Sequence, residues 1–276
     1  MPEGHVTHRL ATALTGAFTA RSVAVVSPQG RFAESAGQLD GTTLTGAESV
    51  GKHLFVTFAE ERVVWIHLGL IGRLTFGPAD QLPHPATLRL RISDGVLAAD
   101  LRGPQWCRLI TTAEQQAVIE QAGSDPLRPD ADPARAWARV ACSGRPFAAV
   151  LMDQKVFAGV GNIFRAEVLF RHGIDPWVPA NAIPQPVFCS VWADLAALMN
   201  AAVASGRIDS VDAAHTPEAM GRPPREDRHG GEVYVYRRTG QACLVCGGEI
   251  LVTDLAGRNL YWCGTCQPPG ARGRPR

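Results

Sequence analysis

The rhythm of polar and apolar positions changes repeatedly along the chain. From Pro2 to about Thr15, Val6, Leu10, Ala13 and Leu14 recur at helical spacing and Gly16 ends the pattern, which predicts one amphipathic helix. The period then shortens. Ser22 to Val26, Thr42 to Leu44, His53 to Phe58, Arg62 to His67, Arg73 to Phe76, Leu88 to Ile92, Val96 to Asp100 and Arg108 to Thr111 are short, alternating or β-branched, and divided by Gly, Pro, Asp or Glu turns. Eight strands at this spacing predict a β-sandwich or barrel, with the first helix on one edge carrying residues 2 and 3 to its mouth.

After Thr112 the pattern turns helical. Ala113 to Ala122 reads as a helix, Gly123-Ser124-Asp125-Pro126 as a break, and Pro129 to Pro133 as a loop. Pro146 to Phe157 and Asn162 to His172 read as two helices separated only by Ala158-Gly159-Val160-Gly161, a helix-turn-helix arrangement. Gly173 closes the second, and Phe188 to Ala204 forms a long apolar helix. Ser205 to Gly231 is polar, rich in Pro, Gly and Arg, and aperiodic, which predicts a partly mobile loop. Glu249 to Val252 and Asn259 to Trp262 read as strands, with Leu255-Ala256-Gly257-Arg258 at a hairpin tip. The expected organisation is α+β and multidomain: residues 1–112, 113–235 and 236–268, then a basic tail over 269–276.

Composition narrows the partners. A chain of 276 residues exceeds what one core usually serves. Its net charge of +1 excludes a coat of basic residues but leaves room for a basic groove. No apolar run approaches the ~20 residues of a membrane span, and no signal peptide precedes Pro2, so a cytosolic protein without a membrane partner is expected. Lysine occurs only at Lys52 and Lys155, which raises a functional question for both. Cys107, Cys142 and Cys189 are scattered singly. Cys243-x-x-Cys246 and, after sixteen residues, Cys263-x-x-Cys266 have the spacing of a tetrahedral four-cysteine zinc ribbon. A redox role would need one pair beside a βαβ unit, and none is present.

The start of the chain carries its own chemistry. Trimming of Met1, which the small neighbour Pro2 permits, leaves a secondary amine beside the Glu3 carboxylate. An α-amino group titrates near ~7.7–8.0, against ~10.4 for lysine, so a usable fraction is free base at neutral pH. A helix beginning here disfavours the ammonium form and suits Glu3 in its first turn.

Met1-Pro2-Glu3-Gly4, Gly51-Lys52-His53-Leu54, His67-Leu68-Gly69-Leu70-Ile71-Gly72-Arg73-Leu74, Leu151-Met152-Asp153-Gln154 leading to Ala158-Gly159-Val160-Gly161-Asn162-Ile163, and Gly257-Arg258-Asn259-Leu260-Tyr261-Trp262-Cys263-x-x-Cys266-Gln267 follow one another in family order. Together they resemble the formamidopyrimidine-DNA glycosylase and endonuclease VIII family, from residue 2 to about residue 267. The resemblance implies an N-terminal helix with a β-sandwich, a helix-two-turn-helix domain and a zinc ribbon holding one structural Zn2+. It implies a monomer acting on damaged double-stranded DNA, and leaves open whether single-stranded or bubble DNA is also used. Pro2 matches the nucleophile that attacks the sugar C1′ and leaves an iminium, and Glu3 the acid that protonates the opening sugar. Lys52 matches a residue that contacts phosphate and supplies a proton. Arg258 matches the ribbon-tip arginine that grips phosphate and assists the second elimination, a task suited to its planar fork. Asn162 matches a phosphate-binding asparagine; independently, it opens a helix after glycines, where free backbone N–H groups favour an anion and an N-cap side chain can turn outward. Lys155, nearby, would add charge.

Departures from the family pattern bear on substrate. Leu70 holds a wedge position where the guanine-repair branch has methionine, and Asp100-Leu101-Arg102-Gly103-Pro104-Gln105-Trp106 lacks that branch's aromatic wedge in its place. Trp106 is either a substitute or a strand residue. The Ser205 to Gly231 loop lacks the pattern used over an oxidised purine. These features favour oxidised pyrimidines and abasic sites over 8-oxoguanine and formamidopyrimidine. His5-Val6-Thr7-His8 replaces a family acidic pattern; both histidines read as surface groups. A non-catalytic damage-binding protein is the alternative of another class, and the retention of Pro2, Glu3, Lys52 and Arg258 argues against it.

Overall fold

The computed structural model describes residues 2–227 and 231–276; Met1, on which the trimming expectation falls, and Arg228, His229 and Gly230 of the aperiodic loop lie outside the described residues. The chain divides into two compact units, one ending at Gln121 and the other beginning at Ala122.

The first unit contains α1 (Gly4–Phe18), β1 (Arg21–Val26), α2 (Ala33–Leu39), β2 (Thr42–Val50), β3 (His53–Phe58), β4 (Arg62–His67), β5 (Arg73–Pro78), β6 (Leu88–Ser93), β7 (Leu97–Arg102), β8 (Trp106–Thr111) and α3 (Thr112–Gln121). The strands run in the order β5-β7-β6-β1-β2-β3-β4-β8, all neighbours antiparallel. β1 serves two leaves: Arg21, Ser22 and Val23 pair with β2, whereas Ala24, Val25 and Val26 pair with β6. That handover folds the order into a sandwich around one core. Leu54, Val56, Phe58, Val64 and Ile66 enter from one leaf, and Leu74, Leu90, Ile92, Ala99 and Leu101 from the other, at the alternate positions that a strand turns to one face.

Two expectations are corrected here. Gly16 does not end the first helix, which runs on to Phe18 because Leu14 and Phe18, four apart, are both fully buried; an internal glycine costs only about 1 kcal/mol against that burial. The helix also lies against β2 and β3, inside the strand order rather than on its edge. Thr15 Oγ1 donates to the Ala47 carbonyl at 3.1 Å and accepts from the Ala47 N–H at 3.0 Å, beside the register shift between Leu44 and Gly46. The short helix α2, with only Ala36 and Leu39 buried, leaves too little periodicity to be read from sequence.

The second unit contains α4 (Pro133–Ala141), α5 (Phe147–Val150), α6 (Asn162–Arg171), α7 (Gln185–Ser205), α8 (Pro217–Met220), β9 (Ile250–Asp254) and β10 (Asn259–Cys263). The expected helix from Pro146 to Phe157 is one turn long. Beyond it the chain folds into turns held by Gln154, whose side chain donates to the Met152 and Val160 carbonyls at 3.0 and 2.9 Å and accepts from the Gly159 N–H at 3.1 Å. Gly123 is part of this packing, since a Cβ there would lie 2.5 Å from the Val156 carbonyl carbon. α4 was not anticipated; Asp132 caps it, accepting from the Ala134 N–H at 2.9 Å. α7 corrects the expectation about apolar length, since its 21 residues are long and apolar enough to cross a membrane. Yet Val187, Phe188, Val191, Leu195, Met199 and Ala202 lie in the core of this unit, and Asp194 takes a bidentate pair from Arg171 of α6 at 2.7 and 2.8 Å. It is read as a core helix.

Every residue of α6 from Asn162 to Phe170 is buried, including Glu167. The Glu167 carboxylate accepts the backbone N–H groups of Tyr234, Val235 and Tyr236 at 2.6, 2.9 and 2.8 Å and the Ser210 hydroxyl. Glu167→Ala strands those donors without water, and a loss of about 3 kcal/mol or more is expected, read as a lower denaturant midpoint. A midpoint within a few tenths of a kcal/mol of the parent would show that this carboxylate does not hold the unit together.

Candidate active site and metal centre

Pro2 is half-buried and Glu3 is only 1 % exposed, in extended conformation at the N-cap of α1. Thr7 of the first turn places Oγ1 2.6 Å from the Gly51 carbonyl and 2.8 Å from the Gly4 carbonyl, which share its single hydroxyl hydrogen. Gly51, at φ +58°, opens the β2–β3 turn that carries Lys52, so the start of the chain is seated against that turn. His5 is buried rather than on the surface; burial first, then Arg9, lowers its pKa to about 4.

An unanticipated cluster stands beside Lys52. His53 faces His67 across the β3–β4 ladder, and His67 faces Trp106 across the β4–β8 ladder. His67 stacks on Trp106 with centroids 4.4 Å apart, and Trp65 meets Trp106 edge-on at 5.3 Å. The Arg108 guanidinium lies 5.8 and 5.6 Å from the Trp65 and Trp106 rings, close enough for cation–π attraction. His53 Nδ1 accepts from Trp65 Nε1 at 3.1 Å, and His67 Nδ1 from the Gly69 N–H at 3.2 Å. Burial, then His67 and Lys52, lowers His53 to about 4; burial, then Lys52, lowers His67. Lys52 therefore faces neutral imidazoles at neutral pH. The signal was available in the alternation of His, Trp and Arg across three strands, but it required their register.

Trp106 is a half-buried strand residue stacked on its neighbours. The side chains raised to solvent are Leu70 and Ile71, 66 % and 78 % exposed on the β4–β5 turn. A Cβ on Gly72 would meet the Leu68 carbonyl oxygen at 2.2 Å, so the turn is as tight as a backbone allows. Ile71 was not singled out from sequence; its Cδ1 lies 3.7 Å from where a Cβ on Gly103 would stand.

In the second unit Gly161, not Asn162, is the N-cap of α6; Asn162 is its first residue and 6 % exposed. Its Nδ2 donates to the carbonyl of Asn259 at 2.9 Å, one residue past Arg258. Arg258 is exposed on the β9–β10 tip, where Ala256 and Gly257 both take positive φ, 54° and 73°, as the tightest hairpin turn requires. Lys155 is exposed on the loop before α6. Pro2, Glu3, Lys52 and Leu70 thus belong to one compact unit, and Lys155, Asn162 and Arg258 to the other.

The sulfurs of Cys243, Cys246, Cys263 and Cys266 lie within 4.8 Å of one another, with Cys243–Cys266 at 3.8 Å and Cys246–Cys263 at 3.4 Å. A tetrahedral Zn–S shell of ~2.3 Å has sulfur–sulfur edges of about 3.8 Å, so the four thiols fit one zinc ion. Buried Gln267 braces the second pair, accepting from the Cys263 N–H at 3.1 Å and donating to the Ile174 carbonyl at 2.9 Å.

Three domain families match the chain: the formamidopyrimidine-DNA glycosylase N-terminal domain over residues 1–104, the formamidopyrimidine-DNA glycosylase H2TH domain over 122–213, and a zinc finger found in FPG and IleRS over 240–269. The chain is 46 % identical to Endonuclease 8 1 of Mycobacterium tuberculosis over 97 % of its own length and all of that protein. It is 32 % identical to formamidopyrimidine-DNA glycosylase of Corynebacterium aurimucosum, covering 88 % and 85 % of the two chains. Its fold matches a crystal structure of Lactococcus lactis Fpg in complex with abasic-site DNA, with a TM-score of 0.79 and 20 % identity over 96 % and 99 % of the chains.

Elemental analysis should find one zinc per chain, and chelation should melt the β9–β10 hairpin, followed by amide exchange, while the first unit stays folded. Retention of hairpin protection in zinc-free protein would contradict a structural metal. Acid should act on the other unit. For His5 and His53 the folded pKa, about 4, lies below the unfolded 6.5, so the unfolded state takes up protons first as pH falls. Stability should be level above neutrality and fall between pH 6.5 and 4, by up to about 3 kcal/mol per histidine. Denaturant melts at pH 7.5 and 5 check this, and equal midpoints would oppose it.

Proposed function

The chain belongs to the formamidopyrimidine-DNA glycosylase and endonuclease VIII family of DNA glycosylases, and we propose that it removes oxidised pyrimidines from duplex DNA and then cuts the strand by β,δ-elimination. The observation that carries this reading is the seating of the first turn of α1, with Pro2 and buried Glu3, on the turn that bears Lys52. The Pro2 amine attacks C1′ of the damaged nucleotide, Glu3 protonates the opening sugar, and the base leaves. The adduct of a secondary amine is an iminium cation, an electron sink that makes the C2′ proton acidic and allows β-elimination. Lys52 contacts phosphate and supplies a proton; Arg258 assists the loss of the second phosphate. Asn162 and Lys155 meet the DNA backbone, and residues 1–112, 113–235 and 236–268 divide catalysis, helix-two-turn-helix binding and presentation of the ribbon tip.

Leu70 and Ile71 support the pyrimidine preference. Two adjacent aliphatic side chains project from one turn, so a wedge for the emptied duplex position needs no aromatic from the second loop. The identity to an endonuclease 8 protein, higher than to the glycosylase of C. aurimucosum, points the same way. The enzyme is read as a cytoplasmic monomer.

Incubation with abasic duplex and borohydride should yield a stable protein–DNA adduct. Undiminished trapping by protein with Met1 demonstrably in place would remove Pro2 from the mechanism. On a panel of thymine glycol, dihydrouracil and 8-oxoguanine duplexes, the pyrimidine lesions should be cut faster. Arg258→Ala should leave base removal and β-elimination partly intact while the 3′-phosphate product falls away; a product ratio equal to the parent's would confine Arg258 to binding.

A further inference from the structure

Arg165 is 1 % exposed, yet it lies on the same helix as Asn162 and one turn further on. Its Nη2 donates to Asn162 Oδ1 and, at 3.1 Å, to the Asn259 carbonyl, the same oxygen that accepts Asn162 Nδ2 at 2.9 Å. A guanidinium can only donate, so the asparagine must turn its oxygen toward Arg165 and its nitrogen toward the carbonyl. The flipped amide would set N–H against N–H and oxygen against oxygen. One of the two Nδ2 hydrogens is engaged by Asn259, and among the described residues no partner takes the other.

We propose that Arg165 is a positioning residue: it fixes the Asn162 amide in the orientation that leaves an N–H, not an oxygen, for a DNA phosphate, and it pins the root of the tip carrying Arg258. The proposal rests on the reading of Asn162 as a phosphate donor. An amide free to flip would present its oxygen to a phosphate part of the time, which repels. Both bonds leave one nitrogen, Nη2, whose two hydrogens are fixed in the guanidinium plane, whereas an ammonium is a point donor that turns freely.

The test is a double-mutant cycle on binding to duplex carrying an uncleavable abasic analogue, with the product ratio on abasic DNA as a second readout. Arg165→Met and Asn162→Ala should each weaken binding about tenfold, the scale of one lost charge-reinforced contact, and the loss in the double mutant should fall well short of the product of the two, any excess over Asn162→Ala being the part that acts through the tip carrying Arg258. Arg165→Met should also lower the share of δ-elimination product, because the root of Arg258 is released. If Arg165→Met does not fold, Arg165→Lys takes its place in the cycle, with a smaller loss in the same direction. Multiplying losses in the double mutant, or a folded Arg165 variant with wild-type binding and product ratio, would overturn the proposal. Asn162→Asp separates the two readings, because it keeps an acceptor for Arg165 but has no N–H to offer. Wild-type binding by Asn162→Asp would remove Asn162 as the donor and the proposal with it, whereas weak binding by Asn162→Asp beside wild-type binding by Arg165→Met would overturn Arg165 alone.

Discussion

The second unit depends on one buried charge. A carboxylate taken out of water is tolerated only if its oxygens are hydrogen-bonded, and Glu167 meets that requirement with three consecutive backbone N–H groups and a hydroxyl. The three N–H groups come from the segment that leads into the ribbon, so satisfying the charge also fixes where the ribbon begins. Arg238 continues the same network: it is buried, and it donates to the Tyr234 and Ala242 carbonyls at 2.6 and 2.9 Å. The metal then needs only to hold the ribbon internally. Its attachment to α6 is made at Glu167 on one side and at Asn162, Arg165 and Asn259 on the other.

In the first unit the comparable constraint is geometric. Because β1 changes partner halfway along, a single antiparallel order supplies both leaves of the sandwich, and α1 closes over β2 and β3 with Leu14 and Phe18 in the core. The helix start has little freedom once those residues are buried and Thr15 is bonded into the β2 bulge. Thr7 then fixes the first turn of α1, which follows Glu3. The start of a chain commonly frays, and here residues 2 and 3 are held by the packing and hydrogen bonds of the helix that follows them.

Strands were legible in the sequence where short β-branched and aromatic runs stand between turn residues: His53–Phe58 and Arg62–His67 were read to the residue, and Leu54, Val56, Phe58, Val64 and Ile66 form their wholly buried face. The helix from Pro146 failed because Val150, Leu151, Val156 and Phe157 are all buried without forming one stripe, so apolar spacing imitated a helix that Gln154 and Gly123 replace with turns. The zinc cysteines were legible from spacing alone, since their geometry is local. His67, Ile71, Arg165 and Glu167 were not. Each matters through a partner far away in sequence, and a lone buried arginine or glutamate has no periodicity by which to announce itself.

The use of cations shows a division of labour that bears on Lys52. Arg91, Arg171, Arg222 and Arg225 each lie within 3.3 Å of a carboxylate, and Arg165 and Arg238 are buried against carbonyls, so arginine supplies the structural cations of this fold. That choice follows from chemistry: the guanidinium forms several directed bonds and stays charged when desolvated. For the same reason it is a poor proton donor. On the proposed mechanism a proton given up at the turn bearing Lys52 comes from the ammonium, because burial leaves the nearby His53 and His67 neutral. Lys52 stands half-buried beside imidazoles kept neutral by burial, in a chain with only one other lysine. On the proposed mechanism, Lys52→Arg would keep the phosphate contact and remove the proton, so the two roles assigned to this residue are separable by one conservative substitution.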